Sequence, residues 1–281
     1  MLQDIVVHLL HSGVVVFALL SLLWLVSVIS KDASLVDIFW GFGFFIVAAV
    51  CLYVATPISD FAVILTALPM IWGLRLTGYL AKRNLGHGED KRYVDMRGRA
   101  ESKGMSEFAW RVRSLFTVYW GQGLLIMIVS APVWVGIASA SDVLAFDIEA
   151  LGVFAAGGTL IWLIGFFFET VSDAQLARFL KTSKNYSGPI DEKPVMDQGL
   201  WKYTRHPNYF GNACMWWGIW LIACESSFGI YTIFSPLIMT FLLTKVSGRD
   251  LLERSMCKRK TYQNYMVRTS SFFPLPPKDK G

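Results

Sequence analysis

Gly199-Leu200-Trp201-Lys202-Tyr203-Thr204-Arg205-His206-Pro207-Asn208-Tyr209-Phe210-Gly211-Asn212 marks the point where a charged, proline-containing segment gives way to an apolar run. Pro207 fixes φ and lacks an N–H, so it suits the first turn of a helix beginning there. Arg205, His206, Asn208 and Tyr209 are thereby gathered at a helix N-terminus, whose free N–H groups and positive dipole end favour an anion. Two readings follow. One is a grip for a phosphate or carboxylate. The other is an interfacial anchor, with Arg and Lys snorkelling and Trp201, Tyr203 and Tyr209 in an aromatic belt.

The rest of the chain puts this stretch beside a membrane. Hydrophobic residues make up 54% of the 281 and charged residues 17%, against about a quarter charged in an ordinary soluble domain. Seven apolar runs approach the length that spans a bilayer: 5–29, 37–56, 61–81, 114–138, 150–171, 207–224 and 228–246. The first is not a signal peptide, since no Lys or Arg precedes it and it is too long for an h-region. The expectation is an all-α, polytopic integral membrane protein, a single membrane domain with a tail from 247 to 281. Cys51, Cys214, Cys224 and Cys257 show no C-x-x-C spacing, so neither a metal site nor a disulfide framework is expected.

Charge orients the bundle. Of 26 Lys and Arg, nine fall in 82–113, six in 178–205 and nine from Lys245 onward. The segments 57–60, 139–149 and 225–227 carry none, only Asp60, Asp142, Asp147, Glu149 and Glu225. The positive-inside rule then gives an outside N-terminus and a cytoplasmic C-terminus, in what is expected to be a bacterial inner membrane. The net charge of +5 is absorbed by this alternation, so no nucleic-acid partner is expected. Nearly all polar residues lie in two long inner loops and the tail, and loops of that length usually have work to do.

The first inner loop contains Arg83-Asn84-Leu85-Gly86-His87-Gly88-Glu89-Asp90-Lys91-Arg92-Tyr93. Its two glycines permit a tight backbone. Arg83, Arg92 and Arg97 can pair with phosphates while Glu89 or Asp90 accepts from ribose hydroxyls. The plainer reading is a solvated turn with weak local salt bridges. The second loop opens with Glu169 and Asp173, four apart and so on one helix face, followed by Arg178 and by Tyr186 in a turn. Lys181 and Lys184 read as solvated charges at the headgroup level.

Two charges inside the membrane need explaining, Asp37 and Arg75. Both lie in the cytoplasmic half, and an intramembrane charge is costly without a partner, so an Asp37–Arg75 pair is expected. In the tail, Arg249 with Glu253, and Asp250 with Arg254, have the spacing of helical salt bridges. The stretch from Thr261 to Pro274 shows aromatics but no apolar period and is expected to lie back on the cytoplasmic surface.

Leu200-Trp201 through Gly211, with Asn84…Gly88-Glu89-Asp90…Arg92-Tyr93 upstream and Arg268-Thr269-Ser270…Phe273-Pro274 downstream, resembles the bacterial DUF1295 proteins. That group is similar to the C-terminal region of the steroid 5-alpha-reductase family, and Arg-His-Pro-Asn-Tyr-x-Gly also resembles the sterol delta-14 reductases. The resemblance spans about residues 34 to 274. It implies NADPH-dependent reduction of a carbon–carbon double bond conjugated to a carbonyl in a steroid- or isoprenoid-like lipid. The cofactor positions it implies are Arg83, Asn84, Asp173, Arg178, Tyr186, Arg205, His206 and Asn208. Glu89, Asp90, Arg92, Arg249 and Glu253 complete the candidate cofactor contacts, and Asp37 and Tyr93 are the catalytic candidates. Substitution of the cofactor residues is expected to weaken NADPH with little effect on folding.

The chain departs from that family in places. Steroid reductases carry a Gln-Glu pair on the second helix and a Tyr on the third, where this chain has Asp37 and Trp72. Asn212 stands where the motif usually continues to Glu. Isoprenylcysteine carboxyl methyltransferases and phospholipid methyltransferases carry a similar Arg-His-Pro element. The alternative is therefore an S-adenosylmethionine-dependent methyltransferase, with Glu253 near the amino-acid end of the cofactor. A non-catalytic lipid-binding protein on the same scaffold is the third reading.

Overall fold

The computed structural model describes residues 1–140, 152–246 and 248–278. Most of the expected outer segment 139–149, including Asp142, Asp147 and Glu149, and the start of the run expected over 150–171 lie outside the described residues. Among the described residues the chain is all-α. Its helices are α1 (Leu2–Ser30), α2 (Leu35–Val54), α3 (Asp60–Asn84), α4 (Lys91–Glu101), α5 (Glu107–Ser114), α6 (Gly121–Val129) and α7 (Ala131–Ala138). They continue as α8 (Val153–Thr182), α9 (Pro207–Ala223), α10 (Phe234–Phe241), α11 (Arg249–Met256) and α12 (Lys260–Arg268). A π-helical segment, Leu115–Trp120, joins α5 to α6 without a break.

Among the described residues, six stretches are long and apolar enough to cross a membrane: 2–30, 35–54, 60–84, 107–129, 153–185 and 229–256. The remaining expected run, 207–224, is α9, whose 17 residues reach about 25 Å at 1.5 Å per residue, short of a hydrocarbon core of about 30 Å. α1 is apolar around its whole circumference yet exposes Val14, Leu22 and Ile29. A helix of that kind needs lipid rather than water as its surroundings. The chain is an integral membrane protein.

Local chemistry sets the helix ends. Ser59 accepts from Ala62 N at 3.2 Å and Ser106 from Ala109 N at 3.2 Å, each as an N-cap for an otherwise orphaned donor. Pro207 opens α9 as expected.

The described chain packs as two compact units, residues 1–152 with 223–235, and residues 153–222 with 236–281. In the first, α2 and α3 approach through Gly41 and Gly73. A Cβ on Gly41 would stand 2.6 Å from Gly73 O, and one on Gly73 2.5 Å from Gly41 O, so no larger residue fits this backbone contact. Phe44 and Trp72 pack beside it, ring centroids 5.3 Å apart. Trp72, at the position where the resembled family has Tyr, is thus a core residue, buried at 1% exposure.

In the second unit, α8 and α9 run antiparallel through two such contacts, Gly158 with Gly218 and Gly165 with Gly211. This register sets Asp173, near the C-terminal end of α8, across from Asn208 at the start of α9. The aromatic stretch from Thr261 contains most of α12, of which Tyr262 and Tyr265, three apart, bury one side. The chain beyond it returns to the Arg-His-Pro segment: Arg205 N donates to Ser270 O at 2.9 Å, Leu275 N to Tyr203 O at 3.0 Å, and Thr204 Oγ1 to Phe272 O at 2.9 Å.

Candidate functional site

Each unit holds one polar cluster built from the residues singled out above. In the first, Gly86 and Gly88 take φ of 82° and 78°, conformations open to glycine at little cost, and turn the chain from α3 into α4. Asp90 caps α4, accepting from Arg92 N at 2.9 Å, and so presents Arg92 and Tyr93 in the first turn. Both reach Asp37 in the first turn of α2. Arg92 Nη2 donates to Asp37 Oδ2 at 2.6 Å, and Tyr93 OH donates to Asp37 Oδ1 at 2.6 Å.

Arg92 also bonds Asp90 Oδ1 at 3.0 Å, and Gln122 Nε2 donates to the Tyr93 oxygen at 3.4 Å. Burial, followed by the Asp37 carboxylate, pushes the Tyr93 phenol well above its ordinary range. The phenol is therefore neutral and its proton is aimed. Asp37 has taken Arg92 and Tyr93 as partners instead of the Arg75 expected from depth alone. Arg75 lies over the Tyr79 ring at 5.5 Å.

Other first-loop candidates lie outside this cluster. Glu89 accepts from Ala33 N at 2.9 Å and pairs with Arg97. Arg83 Nε donates to Asn84 Oδ1 at 2.9 Å, while Asn84 Nδ2 is a buried donor with no hydrogen-bond partner.

In the second unit, Arg205 is 8% exposed and its guanidinium is nearly saturated. Nε bonds Glu253 Oε1 at 2.8 Å, Nη2 bonds Glu253 Oε2 at 3.2 Å, and Nη1 bonds the carbonyls of Met266 at 3.1 Å and Thr269 at 2.6 Å. His206 Nε2 meets Glu253 Oε1 at 3.0 Å, and its ring lies parallel to Tyr209, centroids 5.4 Å apart. Burial lowers the imidazole's pKa from its ordinary value, against the pull of Glu253, so the neutral ring donates to the carboxylate. Tyr262, buried at 3% exposure, joins the electrostatics of Arg205 and Glu253.

Next to this group, Asn208 Nδ2 donates to Asp173 Oδ1 at 3.2 Å. Asp173 and Glu169 are both buried on α8, on the shared face expected from their spacing. One turn beyond Asn208, Asn212 Oδ1 is a buried acceptor with no partner. Arg178 is exposed and lines a cavity of about 490 Å³ with Gln175, Asp197 and Gln198. Tyr186 OH closes its own turn on Pro189 O at 3.2 Å. Arg249 pairs with Asp250 at 2.7 Å, and Asp250 also with Lys245 at 3.2 Å. The expected Arg249–Glu253 bridge is replaced because Glu253 faces Arg205 and His206.

Sequence reading overlooked Gln122 and Tyr262. The signal for Gln122 is in the sequence, a lone amide between two glycines in the apolar run 114–138. Such a residue is costly in hydrocarbon unless it meets another polar group. Tyr262 carried no comparable mark.

A helical membrane protein with a half-buried carboxylate–phenol cluster in one unit and a carboxylate–histidine–arginine cluster at a helix start in the other is the class defined here. Residues 23–269 match the family described as "Protein of unknown function (DUF1295)", and the chain belongs to that family. It is also similar to "Uncharacterized protein C594.04c" of Schizosaccharomyces pombe (strain 972 / ATCC 24843), 24% identical over 290 residues that cover 92% of this chain and 77% of that protein. No solved structure matches it significantly.

Proposed function

We propose that this protein is a membrane-embedded oxidoreductase that uses NADPH to reduce a carbon–carbon double bond conjugated to a carbonyl in a lipid-like substrate. The observation that carries the reading is the Tyr93–Asp37 hydrogen bond of 2.6 Å. It holds a neutral phenol at the end of an apolar helix. Reduction of an enone builds negative charge on the carbonyl oxygen, and a positioned O–H donor is what that charge requires. Rotation about the phenol C–O bond redirects the Tyr93 proton from Asp37 to the carbonyl. Asp37, Arg92 and Gln122 keep the ring in place.

The donor set suits the cofactor in part. Asn84 Nδ2 in the first unit and Asn212 Oδ1 in the second are each a buried amide atom without a hydrogen-bond partner among the described residues, the kind of group that a ligand satisfies. In the second unit, Asn208, one turn before Asn212, already bonds Asp173 at 3.2 Å, and Arg178 is an exposed cation for a phosphate. Arg205 is excluded from that role, since four hydrogen bonds already engage its guanidinium. When bound, NADPH supplies the hydride to the β-carbon. Water would supply the proton to the α-carbon while the enol oxygen returns its proton to Tyr93, so that the net reaction consumes one hydride and one proton and leaves the saturated carbonyl compound and the oxidised nicotinamide.

Glu253 weakens the methyltransferase alternative. Both of its oxygens accept from Arg205 and one also from His206, which leaves little negative charge for the ammonium of S-adenosylmethionine. Calorimetric titration of the detergent-purified protein tests the cofactor reading. Asn84→Ala, Arg178→Ala and Asn208→Ala should each weaken NADPH by about 1.5–3 kcal/mol, the worth of a hydrogen bond to a charged group. Lys181→Ala and Lys184→Ala should change little. Equal losses in the Lys controls would mean general surface attraction, and preferential binding of S-adenosylmethionine would remove the reductase.

The membrane we propose is a bacterial inner membrane, with the N-terminus outside and the C-terminus cytoplasmic, on the alternation of Lys and Arg between loops, an orientation that requires α9 to serve as a seventh crossing beside the six longer stretches. A C-terminal reporter active only in the periplasm would reverse that orientation.

A further inference from the structure

Where α1 ends, the first unit contains a second polar cavity of about 250 Å³, apart from the Asp37 cluster. Six charged residues line it: Lys31, Arg97 and Arg111 with Glu89, Glu101 and Glu107. Two of the cations are matched internally, Arg97 with Glu89 and Arg111 with Glu107. Lys31 and Glu101 are exposed and have no ion pair among the described residues. The cavity thus offers one unspent charge of each sign.

Its walls are firm. Trp24 Nε1 donates to Arg111 O at 3.0 Å and to Ser114 Oγ at 3.3 Å, fixing α5 against α1. Trp110, 6% exposed, supplies an aromatic surface. Lys31 has φ of 56°, the single non-glycine residue with positive φ among the described residues. It occupies the C-terminal cap of α1, where glycine costs least.

With Arg97 and Arg111 spent on Glu89 and Glu107, the lining leaves Lys31 and Glu101, and one unspent charge of each sign selects a ligand that carries both. The cavity far exceeds the roughly 30 Å³ of a single water, which excludes a site sized for one small ion. Lys31 is the first Lys or Arg of the chain and directly follows an apolar span, which puts it at the headgroup level. Ile29 and Phe108, beside lining residues in sequence, are 83% and 77% exposed, apolar surface suited to acyl chains. The carboxylates favour an ammonium that can donate hydrogen bonds over a quaternary one that cannot.

We infer that this cavity binds a primary-ammonium phosphate zwitterion of the phosphoethanolamine type, with the phosphate on Lys31 and the ammonium on Glu101. The inference is independent of the proposed reduction. Native mass spectrometry of the detergent-solubilised full chain tests it by titration with phosphatidylethanolamine, phosphatidylcholine, phosphatidylglycerol and soluble phosphoethanolamine. Phosphatidylethanolamine should bind about tenfold more tightly than the other two lipids, the effect of one charge-assisted contact. Lys31→Gln and Glu101→Gln should each lower that binding about fivefold, as for a partly exposed pair, with unchanged melting temperature. Lys31→Arg should retain it.

Soluble phosphoethanolamine competing at the lipid's own concentration supports the zwitterion and assigns its source to solution. Competition only at far higher concentration supports it and assigns the source to the bilayer. Equal binding of phosphatidylglycerol and phosphatidylethanolamine, or binding unchanged in both Gln variants, overturns the inference.

Discussion

Tyr93→Phe is expected to lower turnover of a conjugated carbonyl substrate by about 10²- to 10⁴-fold, the usual contribution of a positioned acid, while NADPH binding is unchanged. The substitution removes one oxygen and keeps the ring in its buried place. It leaves Asp37 with Arg92 at 2.6 Å, so the carboxylate is not stranded, and folding should be preserved. Asp37→Asn should have a smaller effect on turnover, because the amide oxygen can still accept from the phenol while its charge is lost. Steady-state rates of NADPH oxidation in proteoliposomes, with the melting temperature of each variant, check both. A Tyr93→Phe protein that turns over like the parent would take the phenol out of the chemistry and sink the mechanism, whatever the cofactor affinities.

Arg205→Ala is expected to destabilise the protein by about 3–5 kcal/mol, the cost of breaking a buried ion pair by deleting one member. The reason lies in the four bonds its guanidinium makes. Without them Glu253 keeps only His206, and the carbonyls of Met266 and Thr269, at the end of α12, lose their donor. The segment following α12 should then open to proteases before the rest of the chain unfolds, since it is held to residues 203–205 by few other hydrogen bonds. Removing Glu253 as well should cost less than the two single losses combined, because the pair is coupled. Thermal unfolding of the full chain in detergent, with limited proteolysis, measures this. An Arg205→Ala protein that melts normally but binds NADPH weakly would return Arg205 to the ligand-contact role read from sequence.

Arg205 shows how the same residue reads differently at the two levels. Its place before Pro207 made it a donor at a helix start, and the helix does start there. What occupies the donor is 48 residues away in the chain, on a helix whose own spacing suggested Arg249 as the partner for Glu253. Asp37 repeats the pattern. Its depth and cost in hydrocarbon demanded a cation, and one is present, but it arrives from the first turn of α4, 55 residues on, rather than from the neighbouring apolar run.

The sequence by itself determined what depends on near neighbours and on solvent. The apolar runs define the helices and the membrane as their surroundings. Pro207 marks a helix start, and Gly86 and Gly88 mark a turn, because each acts through its own backbone. Tertiary structure alone decided which groups meet: Tyr93 with Asp37, Arg205 and His206 with Glu253, Asn208 with Asp173, and Gln122 with Tyr93. Periodicity and spacing constrain one helix at a time. A buried charge takes whichever partner the packed backbones bring within about 3 Å, and that is settled by contacts such as the glycine crossing of α8 and α9, where residues far apart in the chain become neighbours.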